Sequence, residues 1–222
     1  MRKFLRNNRG LIVFMLCLGL FRTAIADWNP VPTGSMRPTI LEGDVVLVNR
    51  LAYDLKIPLT DISLARLGEP ERGDIVTFSS PKDGTRLIKR IVGLPGDRIE
   101  LRNNVLSVNG KPADYADIQW VSEDAGDGRF VQASRWSETL AGQSHAVQFL
   151  PHALARADFG PVIVPENSYF MMGDNRDNSE DSRYIGFVPR ELLIGRAGHI
   201  LVSADIKHDW KPRLERTVSR LH

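Results

Sequence analysis

Turn-forming residues cut this chain into short apolar runs, and that punctuation constrains its fold most. Glu42-Gly43, Pro81-Lys82-Asp83-Gly84, Gly93-Leu94-Pro95-Gly96-Asp97, Asn103-Asn104 and Asn109-Gly110 separate segments rich in Val, Ile and Leu. Segments 44–48, 74–78, 86–92, 98–101, 105–108, 168–172 and 196–203 read as strands. Residues 189–193 read as a short helical turn. Pro95-Gly96 suits the central positions of a type II turn, and Asn103-Asn104 suits a two-residue hairpin. Residues 111–161 are less regular, richer in Asp, Gly, Ser and Ala, and read as an inserted subdomain. The tail after Asp205 is polar and reads as mobile. The predicted class is mostly β and antiparallel, with no repeats.

The N-terminus follows different rules. Arg2, Lys3, Arg6 and Arg9 precede a run, 11–21, that is apolar apart from Gly19. Eleven helical residues span only about 16 Å, as in the apolar region of a cleavable signal peptide, and Ala24-Ile25-Ala26 fits its cleavage site. A retained anchor over 10–28 would instead reach about 28 Å, close to a bilayer core, with Arg22 snorkelling and Trp28 at the interface. Either way the basic cluster keeps the N-terminus cytoplasmic and sends the rest across. The whole chain of 222 residues carries a net charge of +2, so the part after residue 10 sums to −2. It has no basic face of the kind nucleic acid requires. Cys17, the lone cysteine, excludes an intrachain disulfide.

The segment Pro32-Thr33-Gly34-Ser35-Met36-Arg37-Pro38-Thr39 follows the apolar run almost directly. Proline fixes φ and glycine accepts values others avoid, so the segment is stiff and tightly bent. It either holds the Ser35 hydroxyl out as a nucleophile or is a surface turn. A serine nucleophile needs a base. The five histidines, 145, 152, 199, 208 and 222, have no signature around them. Lysine serves when burial lowers its pKa. Residues two apart on a strand share a face, so Lys89 stands with Leu87 and Ile91. It is either poised for desolvation there or exposed on an edge strand. The acidic loop 173–183 fails the calcium-loop pattern: Arg176 stands third when counting starts at Asp174, and Ser182 and Val188 replace the glycine and glutamate when it starts at Asp177. Asp–Arg pairs and Asx-turns account for it without a metal.

Four blocks stand in order: 32–39, Gly73-Asp74-Ile75-Val76, Leu87-Ile88-Lys89-Arg90-Ile91-Val92-Gly93-Leu94-Pro95-Gly96-Asp97, and Gly173-Asp174-Asn175-Arg176-Asp177-Asn178-Ser179-Glu180-Asp181-Ser182-Arg183. Together they cover about a third of the chain and resemble the bacterial type I signal peptidases. The resemblance implies a serine–lysine dyad endopeptidase that removes signal peptides from exported proteins after Ala-x-Ala-type sites, with no cofactor and no metal. Ser35 matches its nucleophile and Lys89 its general base. Thr33, where the family often has serine, matches the hydroxyl that forms the oxyanion hole with the Ser35 amide. Ser179 matches the serine that orients the lysine. Arg90, Asp174, Asp181 and Arg183 match a polar scaffold behind the dyad. Val31, Met36, Ile40, Val46 and Ile88 are expected to line the pockets for small side chains.

The implied fold is an antiparallel structure around a coiled β-barrel, with one N-terminal transmembrane helix. The expected divisions are 1–27 (cytoplasmic basic end and anchor), 28–110 and 162–222 (catalytic core) and 111–161, which resembles the family's variable cap. Partners are signal peptides and the lipid bilayer, without nucleic acid. The resemblance favours the retained anchor, with the catalytic part on the periplasmic side of the inner membrane. Other readings are a specialised protease with the same dyad, such as one that matures a pilin, or an inactive peptide-binding homologue. A self-cleaving repressor is disfavoured because no DNA-binding region precedes Ser35.

Overall fold

The structure, a computed structural model, describes residues 8–58, 60, 62–124, 130–151 and 153–221. Helix α1 (Arg9–Ala24) is 16 residues long and apolar on every face; Leu11, Val13, Phe14, Met15, Leu16 and Phe21 are all exposed. At 1.5 Å per residue it spans about 24 Å. No helix among the described residues is long and apolar enough to cross a membrane. The expected anchor over 10–28 is corrected to this shorter element. The chain cannot continue as helix because its next residues, including Trp28, form β1 (Ala26–Pro30), which pairs with β2 (Asp44–Asn49).

Strand β2 buries alternate residues, as its Val-rich sequence demands. The turn-rich stretch after it holds a small hairpin, β3 (Asp54–Lys56) and β4 (Ser63–Arg66). Strands β5 (Ile75–Ser79) and β6 (Arg86–Gly93) form the next hairpin. Strands β7 (Arg98–Arg102), β8 (Val105–Val108) and β9 (Lys111–Pro112) follow as a meander. Asn103 and Asn104 both take positive φ at its first turn, as the hairpin signal requires, and Gly96 has φ +85° at the expected type II turn.

Residues 111–161 are far from irregular. They hold the long strands β10 (Asp114–Asp124) and β11 (Phe130–Leu140), then β12 (Gln143–Phe149), in a separate three-stranded antiparallel sheet. These strands escaped the sequence reading because they bury polar residues, Glu123, Ser134, Glu138 and Gln148, and expose apolar ones such as Trp120 and Phe130. Strand β13 (Phe159–Ile163) returns to pair with β7, so the separate sheet ends before residue 161.

Strand β14 (Ser168–Met172), the short helix α2 (Ser182–Ile185), β15 (Val188–Pro189), a 3-10 turn at Arg190–Leu192 and β16 (Leu193–Asp205) complete the core. The main sheet runs in the order β1-β2-β16-β5-β6-β14-β15, antiparallel throughout. Its two end strands do not pair with each other among the described residues, so the expected barrel is an open, bent sheet. Irregularities in the register of β16 against both neighbours supply bends. The polar tail is not free: β17 (Lys211–Pro212) and β18 (Ser219–Arg220) both pair with β16. Arg216 donates to the buried Asp44 carboxylate at 2.6 Å and to the Thr39 carbonyl at 3.0 Å.

Candidate active site

Strand β6 lies inside the sheet, between β5 and β14, which removes the edge-strand reading of Lys89. The strand alternates as expected: Leu87 and Ile91 join one apolar cluster, while Ile88 packs on another. Lys89 is only 2% exposed. Its Nζ lies 2.6 Å from Ser35 Oγ and donates to the Ile88 carbonyl at 3.0 Å. Burial pulls the lysine down to about 8, against the carboxylates of Asp181, Asp174 and Glu180. A neutral amine has one lone pair and two N–H groups. This arrangement therefore lets Lys89 accept the Ser35 proton while an N–H stays on Ile88.

Ser35 sits on the bent segment between β1 and β2, where its side chain is nearly buried. The 173–183 loop packs against that segment. Asn175 donates its backbone N–H to the Ser35 carbonyl at 3.1 Å and its side-chain amide to the Gly34 carbonyl at 2.9 Å. Gly173 is required by close approach: a Cβ there would meet Ser179 Oγ and, at 2.5 Å, the Ser35 carbonyl oxygen.

The scaffold residues form two buried pairs. Arg90 grips Asp174 through two bonds of 2.9 and 2.8 Å, and Thr39 adds its hydroxyl at 2.5 Å. Burial pushes the Asp174 carboxyl up, but Arg90 outweighs it and holds the group below the usual carboxylate range. Arg183 pairs with Asp181 at 2.8 Å through both Nε and Nη2, and Asp181 also caps α2 and accepts from the Gly173 amide. Removing one partner from such a pair typically costs about 3–5 kcal/mol.

A cleft of about 630 Å³ opens beside the pair, lined by Thr33, Gly34, Ser35, Leu87, Lys89 and Tyr184, with Lys82, Glu180 and Ser179 at its wall. A second cavity, of about 650 Å³, lies behind Arg90 between Arg72, Asp74, His145 and Arg196 and contains neither Ser35 nor Lys89. The reactive pair therefore belongs to the first. No group of His, Cys, Asp and Glu able to hold a metal occurs among the described residues.

The family model for signal peptidase, peptidase S26, matches residues 5–202. Signal peptidase I of Rickettsia typhi is 36% identical over 92% of this chain and 83% of its own length. Signal peptidase I of Buchnera aphidicola subsp. Schizaphis graminum is 32% identical over 93% of this chain and 78% of its own. A solved signal peptidase I from Enterococcus faecalis V583 shares 31% identity over 58% of this chain and 96% of that one, with a TM-score of 0.35.

This chain belongs to the signal peptidase family, peptidase S26. It is a serine endopeptidase of that family.

Some expected residues of the signal peptidase take other places than foreseen. Ser179 Oγ is buried without a hydrogen-bond partner, so the expected bond to Lys89 is not formed. Thr33 is exposed at the cleft mouth, two residues from Ser35. Val31, Met36, Ile40 and Val46 do gather in one cluster, with Ile88 packed against it. Met36, Ile40 and Val46 are fully buried, however, and line core rather than cleft. Their apolar character suited a pocket wall and a sheet core equally well. The large apolar and aromatic side chains on the cleft wall of this signal peptidase are Leu87, Leu154 and Tyr184. Asn175 and Gly173 were visible only as members of the 173–183 block. Nothing in the sequence around Glu138 pointed to the site.

Proposed function

We propose that this protein is a membrane-bound Ser/Lys endopeptidase that removes N-terminal signal peptides from exported preproteins after small residues. One observation carries the reading: a lysine 2% exposed, drawn down to about 8, lies 2.6 Å from a serine hydroxyl that faces an open cleft. Ser35 Oγ attacks the scissile carbonyl carbon as its proton passes to Lys89 Nζ. The carbonyl electrons move to oxygen, where the Ser35 N–H and the Thr33 hydroxyl stabilise the anion. Collapse breaks the C–N bond, and Lys89 returns its proton to the leaving amine. A water then gives its proton to Lys89 and attacks the acyl ester; the C–Oγ bond breaks, and Lys89 passes that proton to Ser35 Oγ, which restores the free serine and the neutral amine.

Helix α1 supports the membrane part of this reading, because its exposed apolar residues have no protein surface to cover them. At its end Arg22 stacks over Trp28, 4.6 Å from the ring centroid, and bonds Asp27 at 2.8 Å. The basic residues before it favour a cytoplasmic N-terminus.

The test is purified full-length protein with a precursor bearing an Ala-x-Ala site. Wild type should release the mature chain at that site, and Ser35→Ala and Lys89→Met should each release none. Release by a folded Lys89→Met variant would remove Lys89 from the mechanism. Failure of wild type on such precursors would overturn the reading. Extraction of membranes at alkaline pH tests the anchor: the protein should stay in the pellet, and recovery in the supernatant would refute it.

A further inference from the structure

The three-stranded sheet touches the site from more than one side: Glu123 on β10 pairs with Arg37 of the Ser35 segment, and a second path runs through Glu138 to the 173–183 loop. Glu138 on β11 is fully buried and receives both terminal nitrogens of Arg176 at 2.6 Å. The Tyr115 hydroxyl donates to the same carboxylate at 2.5 Å, and His145 Nε2 lies 3.3 Å from it. Beside this pair the end of β12 runs parallel to the loop: Gln148 N–H donates to the Asp174 carbonyl at 2.8 Å, and Arg176 N–H to the Gln148 carbonyl at 2.9 Å. Asn175 is thus held from both sides. From there it reaches the Gly34 and Ser35 carbonyls.

The Gly34–Ser35 peptide is trans, since the cis bonds lie elsewhere. In a trans peptide the carbonyl and the N–H point in opposite directions. The Gly34 carbonyl accepts from Asn175 Nδ2 of the loop at 2.9 Å and from Arg37 N–H of its own turn at 3.1 Å, so the plane is fixed by the loop and the turn together. The Ser35 N–H on its other edge is aimed away from the loop. That N–H is the backbone donor of the mechanism above.

We propose that Asn175 is a positioning residue that aims the Ser35 N–H at the developing oxyanion, and that the inserted sheet holds it in place through Glu138 and Arg176. This rests on the serine-protease reading given above. It gives residues 114–149 a role in turnover. An aimed donor contributes to the transition state and little to ground-state binding, so its loss reads out in kcat.

The test measures kcat, KM and the pH profile on the Ala-x-Ala precursor for wild type, Asn175→Asp and Glu138→Gln. Each variant is assayed well below its melting temperature, with its folded fraction fixed by near-UV circular dichroism. Asn175→Asp keeps the shape and sets an acceptor against the Gly34 carbonyl. It should lower kcat about 10- to 100-fold per folded molecule, with KM within about twofold and the rise of activity near pH 8 unmoved. Glu138→Gln should show the same pattern, smaller. A purely structural role would lower the melting temperature and leave kcat per folded molecule unchanged, which would overturn the proposal. So would a KM rise that matches the kcat loss, or a shifted pH limb, which would place the effect on Lys89. If neither variant folds, both residues are structural and the assignment fails. Inactive wild type would instead overturn the function reading.

Discussion

Lys89 is the residue on which two opposed demands meet. To act as the proposed base it must be charge-free, and its burial favours that form. Its folded pKa, about 8, lies below the ordinary lysine value, so the unfolded chain holds the proton more strongly. The folded state is therefore penalised below about pH 8. The penalty fades as pH rises from there to about 10.5 and is absent above. At 1.36 kcal/mol per unit it amounts to roughly 3 kcal/mol. Lys89→Met should accordingly raise the melting temperature at pH 7 while abolishing turnover, and that gain should vanish near pH 10.5. A variant with no gain at pH 7 would mean that the lysine sits in the fold without penalty. For wild type, activity should climb through pH 8 as the amine loses its proton; a profile flat from pH 6 to 9 would contradict this. Thr33 offers a second test at the same scale. Thr33→Val removes the hydroxyl and keeps the shape, so kcat should fall about 10²–10³-fold with KM little changed, whereas Thr33→Ser should stay near wild type. Full turnover by the valine variant would move the second oxyanion donor elsewhere.

Among the elements, the core strands were legible because each buries a run of Val, Ile and Leu between turn residues with a definite backbone requirement. Strands β2, β5, β6, β7, β8 and β14 all lie within about a residue or two of the expected positions. Their mates in the inserted sheet were not, since Glu138 and Gln148 are buried by pairing with a distant loop, and pairing leaves no local pattern. The site was legible to the same degree. Ser35 and Lys89 stand out by local chemistry and come together, whereas the support from Asn175 depends on a contact 141 residues away in sequence. The tail misled for a related reason: its polar residues are anchors. Arg216 neutralises Asp44, a fully buried carboxylate beneath the segment that carries Ser35. Arg216→Ala should lower stability by about 2–3 kcal/mol, measured by urea unfolding, because it strands that carboxylate. An unchanged midpoint would show that the tail contributes nothing to the sheet.

On the scale of the whole molecule, the apolar helix and the catalytic strand are joined by a single carboxylate. Asp27 takes Arg22 from the end of α1 at 2.8 Å and Arg86 from β6 at 3.0 Å, three residues before Lys89 on the same strand. One residue, Ile25, separates helix from sheet. If α1 is held in a bilayer, as proposed above, this short, paired link would tie the foot of the protein closely to its cleft. Such a molecule would work as a ruler: it would set the height of Ser35 above the lipid, and a precursor tethered in the same bilayer would be cut where its chain reaches that height. Inserting six Gly and Ser residues between Ala24 and Asp27 should leave cleavage of a short soluble peptide unchanged and let membrane-held precursors be cut at a second, more distant Ala-x-Ala site. Continued cutting at the original site alone would mean that the distance is measured by the substrate.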